Sequence, residues 1–181
     1  VLAAAEALFA AADSPQAITM DAIAAAAGVG KGTLFRAFGS RDGLLDALWT
    51  AKAAALRGIV EQGEPPLGPG APPRERAMAL LDALLAFKLE NRRLIRAREG
   101  NPRLLRSGHY QWTHGLLRRL IEESASEAAD DAGYAAHVLL AAMNIDLIEE
   151  LLGAGLSPDA IRRAQAALAA SVIDGARGRD R

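Results

Sequence analysis

Apolar residues in this chain recur every three or four positions from end to end, and Ala and Leu dominate them. That spacing places them on one side of successive helices. Ala and unbranched Leu lose little on entering a helix, whereas the β-branched residues that favour strands are scarce here. An all-α fold is expected. With 51% of its 181 residues apolar, the chain can bury a sizeable core.

The helices have readable ends. Leu2, Ala5, Phe9 and Ala12 form a first helical face, closed by Asp13-Ser14-Pro15. Thr19 is a suitable N-cap for a second helix, with Asp21 in its first turn and Met20, Ile23, Ala24 and Ala27 inward. Gly28 breaks it. A short third helix runs from Lys31 to Phe38, Gly39 closes it, and Ser40 caps a long fourth with the stripe Leu45, Leu48, Trp49, Lys52, Leu56 and Ile59. The stretch from Gly63 to Pro73 reads as a loop. Further on, Leu80, Leu81, Leu84 and Phe87 share a face, Asn91 is a possible break, Asn101-Pro102 is another, and Trp112, Leu116 and Leu120 line the next helix. Val138 to Leu152 is expected as one helix, apolar around most of its circumference, and Ser157-Pro158-Asp159 starts a last one with the stripe Ile161, Ala164, Leu168 and Val172. About nine helices and no strands are expected.

Net charge gives no hint of a nucleic-acid partner. Over the first sixty residues Lys31, Arg36, Arg41, Lys52 and Arg57 are matched by Glu6, Asp13, Asp21, Asp42 and Asp46. Any DNA-binding role must rest on where the cations sit. The chain has no cysteine, hence no disulfide framework or thiolate metal site, which fits a reducing compartment. No apolar run approaches the roughly 20 residues needed to cross a bilayer, and no signal peptide is visible. A cytoplasmic protein without membrane contact is expected.

The most informative segment is Gly28-Val29-Gly30-Lys31-Gly32-Thr33-Leu34-Phe35-Arg36-Ala37-Phe38 with the helix before it. Two helices crossing through a short turn need a residue tolerant of positive φ, supplied by Gly28, and a small residue where they touch, supplied by Ala24. Lys31, Thr33, Phe35 and Arg36 then lie at the start and outer face of the second helix, where a groove-reading helix carries its contacts. The amides of Gly30 to Gly32 can face a phosphate. An ordinary helical hairpin is one alternative. A nucleotide-binding loop is another, but its pattern G-x-x-x-x-G-K-[ST] would need glycine at Ala25, a hydroxyl at Gly32 and a strand in front. All three are missing.

The segment resembles the TetR family of bacterial regulators, whose pattern T-x-x-x-I-A-x-x-A-G-V-S-x-G-T-L-Y-x-H-F is matched at Thr19, Ile23, Ala24, Ala27, Gly28, Val29, Gly32, Thr33, Leu34 and Phe38. Ser40, Arg41, Asp42 and Leu44 follow as a variant of its S-K-E-x-L. The resemblance implies an N-terminal three-helix helix-turn-helix DNA-binding domain over residues 1–46. A C-terminal helical effector-binding and dimerisation domain over 47–181 follows from it. It implies that Thr19, Thr33 and Arg41 hold phosphates of a double-stranded operator, and that Lys31 and Arg36 reach base edges or phosphates. The departures are Gly30 for Ser, Phe35 for Tyr and Ala37 for His, so only the amides of Gly30 and Gly32 remain at the turn. Those losses leave open a second reading, a helical dimer that binds ligands or partner proteins with little DNA affinity.

The family implies a repressor released from DNA by a small-molecule effector, and a homodimer that spans two half-sites. For the dimer surface the last two helices are expected to supply Leu147, Leu151, Ile161, Ala164, Leu168 and Val172. Polar groups on apolar faces suggest a largely apolar effector pocket with a few polar anchors: Lys88, Asn91, Arg98, His109, His137 and Asn144, with Trp49, Phe87, Tyr110 and Trp112. No enzyme, cofactor or metal site is expected. His109 and His114 are five apart on different helix faces, and no Ser-His-Asp arrangement is suggested locally.

Overall fold

A computed structural model describes residues 1–12, 17–97, 107–124 and 131–175. Those residues form ten helices and no strands: α1 (Leu2–Ala11), α2 (Met20–Ala26), α3 (Lys31–Phe38), α4 (Arg41–Gln62), α5 (Pro73–Glu90), α6 (Arg92–Ala97), α7 (Gly108–Ser124), α8 (Ala132–Ala141), α9 (Ile145–Gly153) and α10 (Pro158–Gly175). Asp13-Ser14-Pro15, Asn101-Pro102 and Arg98 lie outside the described residues.

The chain divides into two compact units, the first comprising residues 1–56 and 91–102, the second 57–90 and 103–181. The first unit packs Ala5 and Phe9 of α1, Met20, Ile23 and Ala24 of α2, Leu34 of α3, Leu44, Leu45 and Leu48 of α4 and Leu94 of α6 into one core. Trp49 and Phe38 pack against its edge. In the second unit the main contacts join α7 to α8 and to α5, and α10 to α5. Its core includes Leu80, Leu85, Leu117, Ile121, Leu139, Met143, Ile148 and Ile173.

Three expectations need correction. The segment from Val138 to Leu152 is two helices, because Asn144 turns its carboxamide oxygen to the Asp146 amide at 2.8 Å and caps α9. His137 and Asn144 therefore share no continuous helix face. Ile161, expected on the dimer surface, is instead buried with Gln165, Ala169 and Ile173 on the inward stripe of α10. Gln165 can turn inward because its amide donates to the Leu139 carbonyl at 3.3 Å. Finally Ile59, expected on the inner stripe of α4, is 55% exposed.

Candidate nucleic-acid interface

The turn between α2 and α3 is built by backbone hydrogen bonds that only glycine accommodates without strain. Gly28 has φ 65°. The Val29 amide donates to the Ala24 carbonyl at 3.0 Å and the Gly28 amide to the Ala25 carbonyl at 3.2 Å. This paired closure ends α2 on a left-handed residue. At its other end the Thr19 hydroxyl oxygen accepts from the Ala22 amide at 3.2 Å. Leu34, 1% exposed, pins α3 into the core, and burying a leucine contributes on the order of 2 kcal/mol.

With Leu34 inward, the rest of α3 is turned out. Lys31, Gly32, Thr33, Phe35 and Arg36 are all exposed. Gly30 is the N-cap of α3 and no side chain caps that end. The first amides of a helix have no intrahelical acceptor, so this uncapped start is suited to an anion. Arg36 makes no hydrogen bond or ion pair among the described residues, which leaves its guanidinium available on the outer face.

Two other cations are already engaged. Lys31 pairs with Asp21 at 2.8 Å and its ammonium lies 6.0 Å from the Phe35 ring centroid. Arg41 donates from Nε to the Ile18 carbonyl at 3.0 Å and stacks over Phe9 at 5.6 Å. Arg41 thus braces the segment leading into α2, a structural role that sequence spacing did not show. Asp21 was legible only as a favourable first-turn acid. Its partner lies ten residues on, across the turn, where no local pattern points.

A helix-turn-helix with an inward Leu34, a left-handed Gly28 and an outward face of Thr33 and Arg36 is the geometry of a DNA reader. Residues 1–48 match the sequence pattern described as bacterial regulatory proteins, tetR family. Over those residues the chain is similar to the DNA-binding unit of that family. Its TetR-like fold extends beyond that unit. A TetR-like transcriptional regulator from Rhodococcus sp. RHA1, known from its crystal structure, superposes with a TM-score of 0.65 at 23% identity, covering 96% of this chain and 93% of that one. No curated protein sequence matches the chain.

The effector residues anticipated for this TetR-like chain fall into separate groups. Trp49 and Asn91 belong to the first unit. In the second, Lys88 donates to the Met143 carbonyl at 2.6 Å, and burial pushes its ammonium down to about 8. Trp112 donates its indole N–H to Glu61 at 3.1 Å and lies under Arg57, while the His109 ring is 6.2 Å from it. His137 bonds the Tyr110 hydroxyl at 2.6 Å and stacks on His114 at 3.8 Å. Burial, then the neighbouring His114, lowers the His137 pKa. Phe87 is half-buried on α5, and Asn144 is committed to its cap. A hollow between α5 and α10, lined by Met78, Leu81, Leu85 and Ala169 together with the polar Asp82, Arg162 and Gln165, includes none of these residues. Among the described residues no cluster of three metal-ligating side chains occurs, no helix is long and apolar enough to cross a membrane, and no buried side-chain nitrogen or oxygen lacks a partner.

On the expected dimer face, Leu147 is 44% and Leu168 is 38% exposed, Ala164 is exposed, Leu151 and Val172 are half-buried, and Ile161 is buried. Tyr134 at 74% and Leu156 at 39% are exposed apolar residues that the sequence did not single out.

Proposed function

We propose that this TetR-like transcriptional regulator is a homodimeric, non-enzymatic cytoplasmic repressor that leaves its operator when a small, largely apolar molecule binds. The observation that carries the DNA-reading half is the outward Arg36 beside Thr33 on α3, without a partner among the described residues. In this reading Thr19, Thr33 and the amides of Gly30 and Gly32 grip phosphates, Arg36 reaches a base edge or phosphate, and Phe35 packs on the sugar or a thymine methyl. Lys31 joins when it leaves Asp21, and Arg41, whose Nε holds the Ile18 carbonyl, keeps Thr19 in register beside the phosphates. Leu147, Leu151, Ala164, Leu168 and Val172 are the surface for the second subunit, which a single short reading helix requires for useful affinity.

The effector half is supported by polar groups set among apolar helices of the second unit. Their hydrogen bonds are internally closed, so a ligand enters by exchange, displacing Lys88 from Met143 or Tyr110 from His137. Selection of bound duplexes from a random pool, repeated with hydrophobic small molecules present, tests both halves. Enrichment of a two-fold symmetric site that is lost with one ligand class is the expected result. Arg36→Ala should weaken binding to that site by about 1–3 kcal/mol. Failure to enrich any sequence removes the regulator reading.

A further inference from the structure

We propose that Asp21 is a specificity-determining residue that holds Lys31 away from phosphates and suppresses binding to DNA of arbitrary sequence. The inference rests on the DNA-reading function proposed above. Lys31 is the first residue of α3, where the positive end of the helix dipole already disfavours a cation. Asp21, in the first turn of α2, lies across the turn with its carboxylate 2.8 Å from the ammonium. Both side chains are largely in solvent, at 62% and 61% exposure, so the pair faces the same water that an incoming duplex displaces. The Phe35 ring is also near the ammonium, its centroid 6.0 Å away.

Seen from beyond a Debye length the two charges cancel, and Lys31 lends little to long-range attraction. A phosphate that takes Lys31 must break the ion pair and leave a carboxylate facing the polyanion. Binding to DNA of arbitrary sequence, which relies on phosphate contacts alone, incurs that penalty. At a cognate site, where Arg36 reads a base edge, Lys31 can stay with Asp21 and the penalty is avoided. Asp21 therefore lowers non-specific affinity more than specific affinity.

The test is fluorescence anisotropy with the full chain and a short random-sequence duplex, titrated over a series of salt concentrations. An exposed ion pair corresponds to a factor of roughly 1.5 to 5, and each reader contributes its own. With two readers, Asp21→Asn should raise affinity for the random duplex about twofold to twenty-five-fold. Its log K against log salt should steepen by about one for each reader, because one more phosphate is neutralised. Asp21→Glu keeps the charge within reach of Lys31 and should behave like the wild type, and Lys31→Ala should cancel the gain in the Asp21→Asn background. Because a purely structural loss would not steepen the salt slope, that slope separates electrostatics from misfolding. Binding by the wild type with unchanged affinity and slope in Asp21→Asn overturns the role of Asp21 alone, as does weaker binding by that variant. No salt-dependent binding of any duplex by the wild type overturns the DNA-reading function and this inference with it.

Discussion

Replacing Gly30 by Ser probes the leanest point of the interface. Gly30 caps α3 with φ −68° and ψ 142°, extended backbone open to any L-residue. A Cβ there would lie 3.8 Å from the Thr33 hydroxyl oxygen, an ordinary van der Waals distance. Ser thus enters without strain. The Thr33 amide already donates to the Gly30 carbonyl at 3.0 Å, so the Gly32 amide is the open donor for the new hydroxyl oxygen. Ser exceeds Gly as an N-cap by a few tenths of a kcal/mol, roughly 0.3. Removing a glycine from the unfolded chain adds about 0.4–1 kcal/mol. Gly30→Ser should therefore stabilise the first unit by about 1 kcal/mol. Gly30→Ala shares the entropic gain but offers no acceptor, and falls short of Ser by about 1 kcal/mol. While its oxygen accepts from the Gly32 amide, the serine hydroxyl donates its own hydrogen to a phosphate in place of that amide, so DNA affinity per reader should stay within about 0.5 kcal/mol. Urea unfolding followed by circular dichroism measures the first effect and anisotropy titration the second. If the Ser and Ala variants unfold at the same urea concentration, the hydroxyl contributes nothing and the reasoning from the uncapped helix is wrong.

Gly28→Ala meets no atom within 4 Å of its new Cβ, so its cost is wholly the left-handed backbone, about 1–2 kcal/mol in thermal melts, and Gly28→Asn should lose less. Lys88 is held near 8 by burial against an ordinary 10.5. The unfolded chain therefore binds more protons between those values, and stability rises with pH across that window, by at most about 1.4 kcal/mol per pH unit. Lys88→Met should flatten that rise in unfolding measurements between pH 7.5 and 10.5; an identical pH profile in the variant would show that Lys88 is not the group responsible. Leu168→Glu places a charge on a side chain already 38% exposed, so the subunit should stay folded while sedimentation shifts from dimer to monomer. A wild-type chain that sediments as a monomer at micromolar concentration would remove the dimer proposal.

Local chemistry made much of the first unit legible before any tertiary structure. Thr19, Gly28, Gly39 and Ser40 act through bonds to backbone a few residues away, so their roles follow from spacing alone. Leu34 inward and Arg36 outward follow from the period of a short helix. The same logic failed where an apolar run outlasted the real helix: nothing in the hydrophobicity of Val138 to Leu152 announces a break, and a short carboxamide bond at Asn144 makes one. On α10 the buried stripe includes the polar Gln165, which no apolar pattern selects and which is accommodated by its bond to the Leu139 carbonyl.

What the sequence determined by itself is the all-α class, the helix-turn-helix and the identity of its outward residues, because each rests on periodicity and on caps within one or two turns. Only the tertiary structure decided which cations on that unit remain available. Asp21 reaches Lys31 across ten residues and Arg41 reaches the Ile18 carbonyl across 23, through a turn and a packed core that no linear pattern encodes. Whether a charge stands alone or paired depends on what folding brings within a few ångströms of it.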